Sequence, residues 1–222
     1  MRPRTLRLTP ADQQHLVTGA AALGISIPRG AVSKLSQYAD ILDLWSPKVN
    51  LISCGSALEL VERHLLDSLA VAAVLPESGS VVDLGSGAGF PGIPLAILRP
   101  DQSFFLVEVR RRRATFLREV RRALGLGNVQ ILEQRAETPP LAIAKAAEAV
   151  VTRAVWSNDS LLEIAARWSS DTGGLFWMRS DPLPAVADGG VGRERIQYRV
   201  GQGRLRTVEI FRIDPSSPNC FT

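Results

Sequence analysis

Cysteine, lysine and histidine are all scarce in this chain of 222 residues. The two cysteines, Cys54 and Cys220, lie far apart, and neither belongs to a CxxC pair or stands beside a histidine. A disulfide framework is therefore unsupported, and no metal site is indicated. Long apolar runs are missing as well: none approaches the roughly 18–20 residues that span a bilayer. Met1 to Leu8 alternate basic and apolar residues without the apolar stretch of a secretory leader. These absences point to a cytoplasmic protein with no membrane partner. Lysine occurs only at Lys34, Lys48 and Lys145, so the basic set is almost wholly arginine.

What is present suits one compact domain with a small extension. Hydrophobic residues make up 45% of the chain and charged residues 22%, with a mean hydropathy of +0.07. Wholesale disorder is excluded by that balance. The formal net charge is +4 and the isoelectric point is near 9.6. Arginine forks match phosphate oxygens two at a time, so an anionic partner such as nucleic acid is permitted.

The stretch from Thr9 to Leu75 reads as helical. Thr9 can cap a first helix that has Pro10 in its opening turn and ends at Gly24. Pro28 opens a second, with Val32, Leu35, Ala39, Leu42 and Trp45 spaced by three and four, and Pro47 stops it. Ser56-Ala57-Leu58-Glu59 has the form of a capping box before a third, which runs to Pro76. From Ser80 the pattern changes. Apolar runs at Val81–Leu84, Phe104–Val107, Val129–Leu132, Ala149–Val151 and Gly174–Met178 alternate with helical segments. Ile196–Val200 and Leu205–Ile213 resemble a closing hairpin about Gly201 to Gly203. Such alternation predicts βαβ units, a mainly parallel sheet with helices on both faces, and a Rossmann-like α/β fold. The division expected is a helical extension over 1–76 packed on an α/β domain over 77–222.

The strongest local feature is Val81-Val82-Asp83-Leu84-Gly85-Ser86-Gly87-Ala88-Gly89-Phe90-Pro91-Gly92, between the first strand and a helix. Nucleotides bind at this position in α/β sheets, and glycine lets a ligand approach the backbone. The spacing of Gly85, Gly87 and Gly89 is G-x-G-x-G, whereas a dinucleotide fingerprint is G-x-G-x-x-G, a spacing reached here only through Gly92. Asp83 at the strand end disfavours a pyrophosphate and attracts a ligand ammonium. The loop therefore favours S-adenosylmethionine over NAD. Glu108 ends the second strand, where an acid reaches a ribose diol. Arg135-Ala136-Glu137 follows the third strand, making Ala136 and Glu137 candidates for holding an adenine. The Arg110–Arg113 run begins a helix near the same sheet edge. Arg112, Arg113 and Arg135, with Arg153 after the fourth strand, are expected to form an electropositive surface that contacts phosphates. A methyltransferase for a small molecule or protein, and a non-catalytic nucleotide- or RNA-binding module, stay open on the residues alone. His64 reads as a structural residue of an apolar helix, and Trp45, Trp156, Trp168 and Trp177 read as core.

Taken together these segments resemble the bacterial small-subunit ribosomal RNA guanine-N7 methyltransferase G family, also called the glucose-inhibited division protein B family. Trp45-Ser46-Pro47-Lys48-Val49-Asn50-Leu51 and Arg63-His64-Leu65-Leu66-Asp67-Ser68 carry the first part of the resemblance. Val82 to Leu95 matches the glycine motif, and Arg135-Ala136-Glu137 and Thr152-Arg153-Ala154 match two later ones. The resemblance implies a class I S-adenosylmethionine-dependent methyltransferase with a seven-stranded sheet. Its substrate would be one guanine in a hairpin loop of 16S ribosomal RNA, on the free RNA or the 30S subunit. It implies cofactor contacts from Gly85, Phe90, Ala136, Glu137 and Arg153, with Arg153 also beside the substrate. A monomer is the default expectation, since oligomeric state is not readable from the sequence. Glu108 stands where the family often has Asp, and Met178-Arg179-Ser180 stands where it usually has Lys-Gly. Arg179 is thus a candidate RNA contact in a divergent pocket. Guanine N7 has an in-plane lone pair and no proton to lose, so no general base is demanded. The chain accordingly has no Asn/Asp-Pro-Pro-Tyr/Phe segment and no Pro-Cys pair.

Overall fold

A computed structural model describes residues 5–153, 158–180 and 193–212. The N-terminal helices form where the sequence signals place them. Helix α1 spans Pro10–Ala22, with the Thr9 hydroxyl accepting from the Asp12 amide and the Asp12 carboxylate accepting from the Thr9 amide. It ends on Gly24 at φ 75°, where the Ile25 amide turns back to the Ala20 carbonyl. Helix α2, Arg29–Trp45, buries Leu35, Tyr38, Ala39 and Leu42.

The third helical segment is less regular than its pattern suggests. Ser56 caps α3 (Ala57–Leu60), but the Glu59 carboxylate accepts from the Gly55 amide one residue earlier than a capping box requires. The chain then passes through a π-helical turn, Val61–Leu65, into α4 (Leu66–Ala70) and a 3-10 turn, Val71–Ala73. Nothing in the apolar spacing marks that widened turn.

The seven strands are β1 (Ser80–Leu84), β2 (Ser103–Val107), β3 (Val129–Leu132), β4 (Ala147–Thr152), β5 (Ser169–Arg179), β6 (Arg193–Val200) and β7 (Arg204–Arg212). Helices α5 (Gly92–Leu98), α6 (Arg111–Ala123) and α7 (Asn158–Trp168) connect the parallel part. The order across the sheet is β3-β2-β1-β4-β5-β7-β6. The first five strands pair in parallel, and β7 is antiparallel to both β5 and β6. Strand β5 starts at Ser169, directly after α7, five residues before the apolar run that signals it. Its polar opening pairs Ser169 with Ala147, and Ser170 and Thr172 both donate to the Glu148 carboxylate.

Alternate strand residues face opposite layers. Val81, Phe104, Leu106, Ala149, Val151 and Ile210 join a large apolar cluster with α2, α4, α5 and α6. Val82, Leu84, Val107, Val150, Leu175 and Trp177 face Leu161, Ala165 and Trp168 of α7 on the other side. The helical part up to Pro76 contributes Leu16, Leu35, Leu65 and Leu69 to the first cluster, so it packs into the same core as the sheet. Among the described residues no helix is long and apolar enough to cross a membrane.

Candidate cofactor and RNA site

The carboxyl ends of β1, β2, β3 and β4 meet at one edge, with Leu84 beside Val107 and Val107 beside Leu132. The Thr152 hydroxyl donates to the Leu84 carbonyl at 2.9 Å and ties β4 to β1 there. The glycine turn leaves β1 at this edge. Gly85, Gly87 and Gly89 all have left-handed φ, at 70°, 59° and 96°. The amides of Gly85 and Ser86 both donate to the Val107 carbonyl at 3.0 Å, which pins the turn to β2. Gly89 is fixed by crowding too: a Cβ there would stand 2.6 Å from the Ile93 side chain. Tyr38 of α2, which sequence reasoning did not single out, is fully buried and donates its hydroxyl to the Ala88 carbonyl within the turn. Burial raises its phenol well above the usual range.

Asp83 is 1% exposed; its Oδ2 accepts from the Gly92 amide at 3.1 Å, and its Oδ1 has no hydrogen-bond partner. Burial pushes its carboxyl up to about 7. Glu108 is also buried, and it spans the mouth of the turn: Oε2 accepts from the Gly87 amide at 3.0 Å and Oε1 from the Arg110 amide at 2.7 Å. A carboxylate has about four lone-pair sites, so each oxygen can still accept one more donor. At the tip of β3, Arg135 and Glu137 are exposed and Ala136 is buried. The loop is held from α7: the Trp168 indole donates to the Ala136 carbonyl at 2.6 Å, and Arg167 donates to the Glu137 carbonyl at 2.8 Å.

Phe90 turns inward against Tyr38, His64 and Arg153. Its ring centroid is 5.4 Å from Tyr38, 5.0 Å from His64 and 5.6 Å from the Arg153 guanidinium. His64 therefore belongs to the site's wall, a placement its position in an apolar helix did not signal. Its Nδ1 lies 3.1 Å from Arg153 Nη2. Arginine only donates, so Nδ1 accepts and the proton sits on Nε2. Burial, reinforced by Arg153, pushes the imidazole pKa down to about 3. Arg153 Nη1 stands 3.4 Å from Asp67 Oδ2.

The arginines expected to meet RNA separate in space. Arg112 is exposed and lines a cavity of about 570 Å³ with Trp45, Lys48, Val49, Arg111 and Thr115. Arg113 points the other way: Nη1 would lie 3.7 Å from a Cβ on Gly87, and Nη2 donates to the Asn50 carbonyl at 3.2 Å. Arg135 lies beside the β3 loop. Arg179, at the end of β5, stacks its guanidinium 4.3 Å from the Trp177 ring centroid. Trp177 and Trp168 are core residues, Trp45 is half-buried with its edge on Phe116, and Trp156 lies outside the described residues. No group of three or more metal-ligating side chains occurs among the described residues.

Comparison with known proteins gives the family. The model of the rRNA small subunit methyltransferase G family (GidB) matches residues 31–184. Ribosomal RNA small subunit methyltransferase G of Azoarcus sp. is 37% identical over 165 residues, covering 74% of this chain and 77% of that protein. Its counterpart in Yersinia enterocolitica is 32% identical over 189 residues, covering 81% and 88%. Among solved structures, P. horikoshii TYW2 in complex with MeSAdo shares the fold at a TM-score of 0.56 and 16% identity, over 69% of this chain and 63% of that one. A SAM-dependent methyltransferase from Aquifex aeolicus does so at 0.53 and 17%, over 66% and 89%. The seven-stranded sheet, the glycine turn at its edge and these relatives together lead to one statement: the chain belongs to the rRNA small subunit methyltransferase G family.

Proposed function

We propose that this chain transfers a methyl group from S-adenosylmethionine to N7 of a guanine in 16S ribosomal RNA, as a cytoplasmic monomer acting on the 30S subunit or its RNA. The observation that carries the reading is the buried Glu108 carboxylate facing the glycine turn. It is already fixed by two backbone amides and keeps an acceptor position on each oxygen. A ribose diol offers two donors to such a carboxylate, and the charge repels a phosphate from that position.

The remaining residues fit the same cofactor. Gly85, Gly87 and Gly89 leave the backbone bare where the nucleoside approaches. Ala136 and Glu137 flank the adenine position, on a loop whose carbonyls are turned away and tied to α7. Asp83 and Arg153 supply a carboxyl group and a guanidinium cation for the ammonium and carboxylate of the methionine end, and Phe90 closes the wall beneath Arg153. The cofactor brings a methyl group on a sulfonium. The protein's task is to hold the guanine N7 lone pair in line with it and exclude water. A proton acceptor is not needed. Exposed Arg112 on α6, with Arg135 after β3 and Arg179 at the end of β5, holds the RNA by its phosphates, and Arg113 joins them from beside the glycine turn. The α/β domain over 77–222 carries the chemistry, and the 1–76 extension completes its wall through Tyr38 and His64.

Incubation with methyl-labelled cofactor and 30S subunits, deproteinised 16S RNA, cell protein or metabolites tests the reading. Label is expected in 16S RNA as N7-methylguanosine. Label confined to protein or metabolites would overturn the substrate assignment.

A further inference from the structure

Arg153 stands just past the end of β4, yet what holds its side chain comes from elsewhere in the fold. The π-helical turn and α4 carry His64 and Asp67, three residues apart and so on one helix face. Asp67 Oδ2 is 3.4 Å from Arg153 Nη1, and His64 Nδ1 is 3.1 Å from Nη2. Asp67 is itself fixed from the C-terminal hairpin. Its Oδ1 accepts from the Tyr198 hydroxyl of β6 at 2.8 Å and lies 3.7 Å from Arg206 Nε of β7. Asp67 is 6% exposed and His64 is 9% exposed. This cluster is a large concentration of buried polar groups for a core to accept, and part of it lacks hydrogen bonds: His64 Nε2, Arg153 Nη1 and Arg206 Nε. An interior arranged for stability alone would satisfy such groups or replace them with apolar ones. π-helical turns, moreover, recur at functional sites.

We propose that His64 and Asp67 are positioning residues that lock the Arg153 guanidinium over Phe90 before ligand arrives. Asp67 sets the direction of the fork through Nη1 and is braced by Tyr198. The neutral imidazole of His64 accepts from Nη2 and fixes the second arm of the fork. An arginine left to rotate would have to be ordered each time a ligand bound, which weakens affinity. The extension and the hairpin are thus part of the cofactor site without touching the cofactor. This inference rests on the cofactor reading above.

Calorimetry of S-adenosylmethionine binding to the full chain tests it, with thermal unfolding recorded on every variant. Asp67→Asn keeps the size of the side chain and removes its charge. It is expected to weaken binding about tenfold or more and to lower the unfolding midpoint as well, since Arg153 and Arg206 lose a buried counter-charge. On an Arg153→Ala background the same change is expected to cause no further loss, because the group it positions is gone. His64→Leu behaves likewise with a smaller loss. If Asp67→Asn does not fold, Tyr198→Phe, which removes only the brace, is judged by the same criterion. Wild-type affinity in Asp67→Asn, or losses that multiply in the double variant, would overturn the proposal. A wild-type chain that takes up no S-adenosylmethionine defeats the cofactor reading itself, and the positioning role with it.

Discussion

At single residues the site's electrostatics make opposite demands on two of its buried titratable groups, His64 and Asp83. His64 has its pKa lowered from 6.5 to about 3 by burial. Between those values the unfolded chain binds a proton that the folded chain refuses, so stability falls as pH drops through that window. Asp83 has its pKa raised from 3.8 to about 7, again by burial. There the folded chain holds the extra proton, so its contribution is present at low pH and is lost as pH rises toward 7. Replacing His64 by glutamine removes the first effect. Between pH 6.5 and pH 5 that variant should lose less stability than the wild type by about 2 kcal/mol, since one pKa unit corresponds to about 1.4 kcal/mol. Denaturant titrations at the two pH values measure the difference, and parallel losses would refute the assignment. Gly85 gives a second test. Its φ of 70° disfavours any side chain, and an aspartate there adds a further carboxylate to the turn. Gly85→Asp should abolish cofactor binding in calorimetry with the circular dichroism spectrum unchanged; retained affinity would remove the turn from the site.

At the scale of elements, the position of the loop after β3 depends on α7. Trp168 ends that helix, and its indole satisfies the buried Ala136 carbonyl. Trp168→Phe leaves that carbonyl without a donor, a loss of about 1–3 kcal/mol. The variant should melt several degrees lower and bind the cofactor more weakly; unchanged binding would show that the loop holds its shape without α7. Much at this scale was legible in sequence because it is local. Thr9, Pro10 and Gly24 bound α1, and the glycine spacing marks the turn, through caps and conformational freedom that act within a few residues. The roles of Tyr38, His64 and Trp168 were not legible. Each acts by one hydrogen bond with a residue between 32 and 89 positions away, such as His64 to Arg153, and apolar periodicity records only that such residues are buried. The early start of β5 escaped notice for a related reason, since Ser169 to Thr172 are held by Glu148 and Ala147 and carry no apolar signal.

For the whole molecule, the excess of arginine resolves into distinct places. Arg113 closes on Asn50 beside the turn, whereas Arg112 opens onto the cavity shared with Lys48 and Arg111. Reversal of Arg112 to glutamate should therefore weaken binding of 16S RNA and leave affinity for S-adenosylmethionine unaltered. The slope of log affinity against log salt should fall by about 0.7–0.9 for one phosphate contact. Filter binding across a salt series decides the matter, and an unaltered slope would take Arg112 off the RNA path. The order of the strands has a temporal consequence. β7 lies between β5 and β6 although it follows both in the chain. Until residue 212 has emerged from the peptide exit tunnel, β6 has no strand to pair with and nothing links it to β5, so the hairpin cannot bring Tyr198 and Arg206 to Asp67. During its own synthesis the protein thus remains unfinished at the very wall where its ligands would sit, and it gains competence only after nearly all of its described length has been translated.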